Sequence, residues 1–214
     1  MSGRSSSRTT KPPPLKARLR EAASGAILDA VEDVALERGI DNASIAAIAD
    51  RAGVAVGTLY NYFPDREAMI AALFRARRGE LAPRVSEAAR LAEPLPFEDR
   101  LRAYTRGVLA AFDARRPFVR LAIAMDQQGR RVPDDRPNLI GVFLIHVEAI
   151  FRDAAGKHQL PDDRVAELAR FYIGAMKAYN AYRLELDEVA DADFLVDTFL
   201  HGAGHGPAHP ESIP

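Results

Sequence analysis

The chain has 214 residues, 48% of them hydrophobic and 28% charged, with a formal net charge of -1. That balance supplies apolar side chains for one large or two small domains and excludes disorder along the whole length. Cysteine is absent, which excludes disulfides, thiol nucleophiles and zinc sites built on thiolates.

The net charge conceals an asymmetry. Residues 1–20 carry Arg4, Arg8, Lys11, Lys16, Arg18 and Arg20 and no acid. Between residues 21 and 66, acids outnumber bases. Residues 1–14, crowded with Ser and Thr and ending in Pro12-Pro13-Pro14, read as a disordered basic arm. Such an arm ahead of a near-neutral body suits a nucleic-acid partner. The N-terminal stretch has charges but no apolar run of the kind a secretory signal needs, so none is expected. The longest apolar run, Leu139 to Phe151, contains His146 and Glu148 and falls short of the roughly 20 residues of a membrane span. A cytoplasmic protein with no membrane partner is expected.

Helix signals begin at Leu15. Ile27, Leu28, Val31, Val34 and Ala35 form one apolar stripe, and Gly39 reads as a left-handed C-cap that stops the helix near Arg38. Ser44 is an N-cap for a short helix through Arg51. Gly53 breaks it, and a second short piece runs from Val56 to Tyr62 before Pro64. Two short helices joined by a few residues around a glycine describe a helix-turn-helix. Asp65 caps a long helix to about Leu91, with Glu67 near its positive end.

Helices are then expected at Phe97 to Arg115, from Pro117, at Leu139 to Ala155, at Asp162 to Glu188, and from Asp191 or Asp193 to Leu200. Loops are expected at Glu93 to Pro96, Gln127 to Pro137 and Gly156 to Pro161. From Gly202 onward Gly and Pro produce a flexible tail. No strand alternation or internal repeat is visible, so the fold class is all-α.

Ala26-Ile27-Leu28-Asp29-Ala30, Glu37-Arg38-Gly39-Ile40, Ile48-Ala49, Ala52-Gly53-Val54, Gly57-Thr58-Leu59-Tyr60-Asn61-Tyr62-Phe63 and Glu67 closely resemble the DNA-binding domain of TetR-family transcriptional regulators. The resemblance covers about 50 residues. It implies an N-terminal three-helix helix-turn-helix domain, here 15–66, followed by a helical effector-binding and dimerisation domain, 67–201, with a tail at 202–214. It implies a double-stranded DNA operator, a small-molecule effector and a homodimer as partners, with no cofactor.

Chemistry agrees at the matched positions. Gly57 lets the backbone approach a phosphate. Thr58 offers a hydroxyl and an amide near a helix N-terminus. Tyr60 and Tyr62 can lie along the sugar-phosphate backbone, and Asn61 can pair with adenine. Val56 can meet a thymine methyl. Arg66 can take a phosphate, as can Lys16 and Arg18 on the first helix, and Ser44 completes the DNA-facing set. Leu59 and Phe63 belong to the core. Three positions depart from the family pattern. Ala55 replaces the usual Ser or Thr cap of the recognition helix, Val56 is apolar where polar or basic residues are common, and Ala35 stands where an aromatic residue is common.

In the C-terminal part, Gly174, Ala178 and Ala181 place small residues along one side of the long helix, a dimer-interface candidate. Leu168, Tyr172, Met176 and Tyr179 lie opposite, so the helix is apolar on two sides and suits two packing partners. Tyr104, His146, Tyr172 and Met176 are candidates to line a mostly hydrophobic effector site with one or two polar handles.

An enzyme is the main competing class. No Gly-rich phosphate loop or nucleophile elbow occurs, and His146 and Glu148, two apart, do not share a helix face. His201 and His205 have metal-binding spacing, but Gly202, Gly204 and Gly206 oppose a helix there. No catalytic or metal-ligating residue is assigned. A ligand-independent helical dimeric interaction protein is the other alternative.

Overall fold

A computed structural model describes residues 14–130, 139–157 and 159–202. Among them the regular structure is helical, with no strand. The chain divides into two compact units, one ending at Ile70 and the other starting at Ala71. The expected arm, apart from Pro14, and the tail beyond Gly202 lie outside the described residues.

The N-terminal unit holds α1 (Leu15–Arg38), α2 (Ile45–Ala52), α3 (Val56–Tyr60) and the first residues of α4 (Arg66–Ala92). Its core is the apolar stripe of α1, with Ile27, Val31 and Val34 buried, together with Ile48, Leu59, Phe63 and Met69. Gly39 ends α1, but not as a left-handed cap. Its φ of 80° and ψ of 151° lie in the mirror-extended region that glycine alone enters readily. Asn42 Nδ2 meanwhile donates to the Arg38 carbonyl at 2.9 Å, satisfying one acceptor that the helix end exposes. The chain then passes through a 3₁₀ turn, Ile40–Asn42, with Ile40 buried.

Local capping sets the next three boundaries. Ser44 Oγ accepts the Ala47 amide at 3.2 Å. Gly53, at φ 67° and ψ 32°, is left-handed and sends its N–H to Ala49 and Asp50. Ala55 gives α3 no side-chain cap. α3 ends at Tyr60, two residues before the expected Tyr62. The Asn61 and Tyr62 amides bond to Thr58 and Leu59, three residues back, which tightens the last turn. Asp65 Oδ1 accepts the Ala68 amide at 2.7 Å and opens α4. Asp65→Ala should lower stability by about 1 kcal/mol, and Asp65→Asn by less, because both native and amide side chains can accept that N–H. Denaturant unfolding checks this; an unchanged midpoint in Asp65→Ala would show that the cap contributes nothing.

The C-terminal unit contains the rest of α4, α5 (Phe97–Asp113), α6 (Arg116–Gln127), α7 (Leu139–Gly156), α8 (Val165–Glu185) and α9 (Ala192–His201). The expected helix from Asp162 resolves into a 3₁₀ turn, Asp162–Arg164, followed by α8. α8 packs on α6, α7 and α9, and α5 on α6, α7 and α9. Aromatic rings join these layers. Phe151 of α7 meets Phe97 at 6.0 Å, Tyr172 at 5.9 Å and Phe199 at 5.6 Å between centroids. α4 and α5 cross closely at Gly107, where an added Cβ would lie 2.5 Å from Ala88 Cβ. Arg183 is 1% exposed and is paired through two of its three nitrogens, Nη2 having no partner among the described residues. Its Nη1 donates to Asp113 at 2.7 Å and its Nε to Asn180 at 3.0 Å, the pairing a buried cation needs.

Candidate nucleic-acid interface and effector site

α3 is too short to be stable alone. It is held by Leu59, which is fully buried, and by the Gly53 turn that fixes its entry. Burying Leu59 turns the other side chains outward. Val56 is 41% exposed and Tyr60 51%, and Gly57 and Asn61 are exposed too. Thr58 and Tyr62 are half-buried. Val56, Gly57 and Tyr60 of α3, with Asn61 just beyond it, are therefore exposed together, while Thr58 and Tyr62 are partly covered. Ser44 is exposed at the start of α2, with its hydroxyl engaged in the cap. Lys16 and Arg18 are exposed on the first turns of α1.

Two arginines behave differently from the sequence reading. Arg66 was expected to hold a phosphate, but its Nε donates to the Ala43 carbonyl at 2.9 Å and its Nη2 to the Ile40 carbonyl. Its side chain is 24% exposed, with Nη1 3.8 Å from Glu67. Arg66 thus ties α4 to the turn before α2, and its donors are largely committed within the fold. Arg20, one of the six bases of residues 1–20, is engaged within the fold. Its guanidinium lies over the Tyr62 ring at 5.7 Å and donates to the Asn61 carbonyl at 3.4 Å. This places a cation from α1 beside the end of α3. Forty-one residues separate Arg20 from Asn61, so no local pattern could have paired them.

The effector candidates gather inside the C-terminal unit. Tyr104 and Tyr172 are fully buried and Met176 nearly so. His146 is half-buried, its Nε2 is 3.4 Å from Ser86 Oγ, and its ring stands 6.0 Å from the Tyr104 ring. Burial holds the imidazole below its usual pKa and so favours the neutral ring. Thr105 Oγ1 lies between the Leu101 carbonyl, at 2.7 Å, and the Tyr172 hydroxyl. The Tyr104 hydroxyl has no hydrogen-bond partner among the described residues. Thr105, the polar neighbour that satisfies Tyr172, was missed in the sequence because a buried threonine on a helix carries no distinguishing pattern.

The dimer candidates face outward. Gly174 and Ala178 are exposed and Ala181 half-buried, while Tyr172 and Met176 face the core. The large side chains Phe171 and Tyr182, each 69% exposed, extend the same outward stripe, and Phe194 of α9 is 58% exposed. Such a run of uncovered aromatic and small residues is unusual on a monomer surface.

Elsewhere, His201 Nε2 lies 3.8 Å from Glu98, and His205, four residues on, lies outside the described residues. Among the described residues no group of three or more His, Asp or Glu is arranged to hold a metal, and no helix is long and apolar enough to cross a membrane.

Residues 27–73 match the family model of bacterial regulatory proteins, tetR family. The match is confined to the N-terminal part of the chain, which over those residues is similar to bacterial tetR-family regulators. The fatty acid metabolism regulator protein of Bacillus subtilis is 38% identical over 61 residues, covering 28% of this chain and 31% of that protein. The HTH-type transcriptional repressor KstR of Mycobacterium tuberculosis is 52% identical over 40 residues, covering 19% of this chain and 18% of its own length. The matches to these curated relatives thus span under a third of their length. Solved TetR-type structures share the fold over much more of the chain. FadR from Bacillus subtilis in complex with stearoyl-CoA superposes with a TM-score of 0.66 at 17% identity, covering 83% of this chain and 98% of that one. A TetR-like regulator from Rhodococcus sp. RHA1 gives 0.62 at 22% identity, covering 92% and 100%. These relatives are regulators, not enzymes.

Proposed function

We propose that this chain is a TetR-type, homodimeric, DNA-binding repressor of transcription, released from a palindromic operator by a hydrophobic or amphipathic small molecule. The observation that carries the reading is α3 itself: Leu59 is buried while Val56, Gly57, Tyr60 and Asn61 face solvent beside the Arg20 guanidinium. That arrangement offers a thymine-methyl contact, an amide-bearing side chain for adenine and phenols for the phosphate backbone. Two such helices in a dimer would meet half-sites about one DNA turn apart. The outward stripe of α8, with α9 beside it, is the proposed dimer surface.

The effector class we favour is a long-chain acyl-CoA. Support comes from the stearoyl-CoA complex of the similar FadR, from the fatty-acid regulator related in its N-terminal domain, and from the largely apolar, aromatic interior of the C-terminal unit. The effector would favour a dimer state whose recognition helices no longer match both half-sites.

Stearoyl-CoA added to the dimer bound to DNA from upstream of its own gene should raise the thermal midpoint and weaken DNA binding together. A ligand that opposes one state must stabilise the other. Stearoyl-CoA that binds without changing DNA affinity, or does not bind at all, would contradict the acyl-CoA reading.

A further inference from the structure

Four buried side-chain atoms of the C-terminal unit have no hydrogen-bond partner among the described residues: three arginine nitrogens, of Arg100, Arg116 and Arg183, and the Tyr104 hydroxyl, the one uncharged group of the four. The Tyr104 side chain is 0% exposed. A buried hydroxyl left without a hydrogen bond is destabilising, and native folds rarely retain one without a use. The contrast with its neighbours is sharp. One residue on, Thr105 bonds both the Leu101 carbonyl and the Tyr172 hydroxyl. The second phenol of this region is therefore satisfied inside the fold, while the first is left open. His146 stands beside the Tyr104 ring, with its Nε2 toward Ser86.

We propose that the Tyr104 hydroxyl is the hydrogen-bond donor that recognises an uncharged carbonyl oxygen in the effector. This deepens the effector reading above and rests on it. A phenol has one O–H to give, and a ketone, ester, amide or thioester oxygen accepts it in good geometry.

The surroundings select against a charged acceptor. Burial drives the Tyr104 and Tyr172 hydroxyls far above the ordinary phenol pKa, because a negative charge loses its solvation there. The same loss falls on a carboxylate brought to the same place. Burial also keeps His146 on the neutral side, so the ring beside Tyr104 supplies no countercharge. A neutral acyl carbonyl gains the open O–H without bringing a charge. The effector is accordingly an acyl derivative rather than a free fatty acid.

Replacement by phenylalanine separates this role from a structural one. Tyr104→Phe removes only the oxygen. If that oxygen is open in the free protein, the free variant should be as stable as wild type or more so. A hydroxyl bonded within the fold would make the same change destabilising.

The binding test uses four probes on the full-length dimer: undecan-2-one, undecane, undecanoate and stearoyl-CoA. Wild type should bind the ketone about tenfold more tightly than Tyr104→Phe does, and undecane equally in both, since one buried hydrogen bond separates them. Undecanoate should bind wild type more weakly than the ketone. Calorimetry reads affinity, and the thermal midpoint of the free variants reads structure. Equal ketone affinity in the two proteins, carboxylate preferred over ketone, or a destabilised free Tyr104→Phe would each overturn the proposal. If stearoyl-CoA binds and releases DNA identically in both proteins, the effector reading stands and the role of Tyr104 falls. If no probe binds wild type, both fall together.

Discussion

Ala178→Arg should convert the dimer to a monomer at micromolar concentration and weaken operator binding by at least about 100-fold, the avidity lost when two linked sites become one. Phe171, Gly174, Ala178, Ala181 and Tyr182 occupy roughly 100° of the α8 surface, and this stripe is largely exposed in the single chain. The small residues let a second helix approach closely, and the aromatic residues flank the approach. A guanidinium at the centre of that contact would be buried without a partner, which is among the costlier changes an interface can suffer. Because Ala178 is exposed within its own protomer, helicity should survive. Sedimentation gives the oligomeric state and anisotropy the DNA affinity. A variant that remains dimeric and binds DNA like wild type would move the interface elsewhere.

Gly107→Ala should destabilise the C-terminal unit by about 1–3 kcal/mol, the range for an over-packed contact, and lower its thermal midpoint by roughly 3–10 °C. On helix propensity alone the change would stabilise by up to about 1 kcal/mol. Packing decides the sign. The new methyl would sit 2.5 Å from Ala88 Cβ, an atom fixed to the α4 backbone that cannot rotate away, so the helices must part. Combining Gly107→Ala with Ala88→Gly moves the methyl from one helix to the other and should recover much of the loss. Thermal unfolding of the four proteins in this cycle measures the coupling. Additive losses would show that the two positions do not meet.

Much of the fold was legible because its boundaries are made locally. Ser44, Asp65 and Asp191 cap helices with their own side chains, and Gly53 turns the chain where a left-handed residue is required. Apolar spacing identified the buried side of α1 and the two faces of α8. The misreadings came from interactions that cross the sequence. Arg66 resembled a phosphate ligand until the carbonyls of Ile40 and Ala43 came within its reach. Arg20 meets Tyr62 only once α1 and α3 share a core. Gly39 takes a positive-φ conformation other than the left-handed cap, and the Arg38 carbonyl is served by Asn42 from outside the helix. The effector candidates Tyr104, His146, Tyr172 and Met176 are polar or adaptable groups on apolar helices. Which of them is satisfied and which is open depends on Thr105, and no periodicity distinguishes Tyr104 from Tyr172.

The most direct measurement is selection of duplexes bound by the full-length protein from a random DNA pool, followed by anisotropy titration of the selected sequence with wild type, Thr58→Ala and Tyr60→Ala. The side chains replaced lie on the half-buried and exposed sides of α3, so dimerisation and helicity should persist. Selection should return a palindrome with half-sites about one turn apart. Each variant should bind it about tenfold or more weakly, as expected when a charged or polar backbone contact is removed. A pool that shows no enrichment, or variants that bind the selected sequence as tightly as wild type, would contradict α3 as a DNA-reading helix.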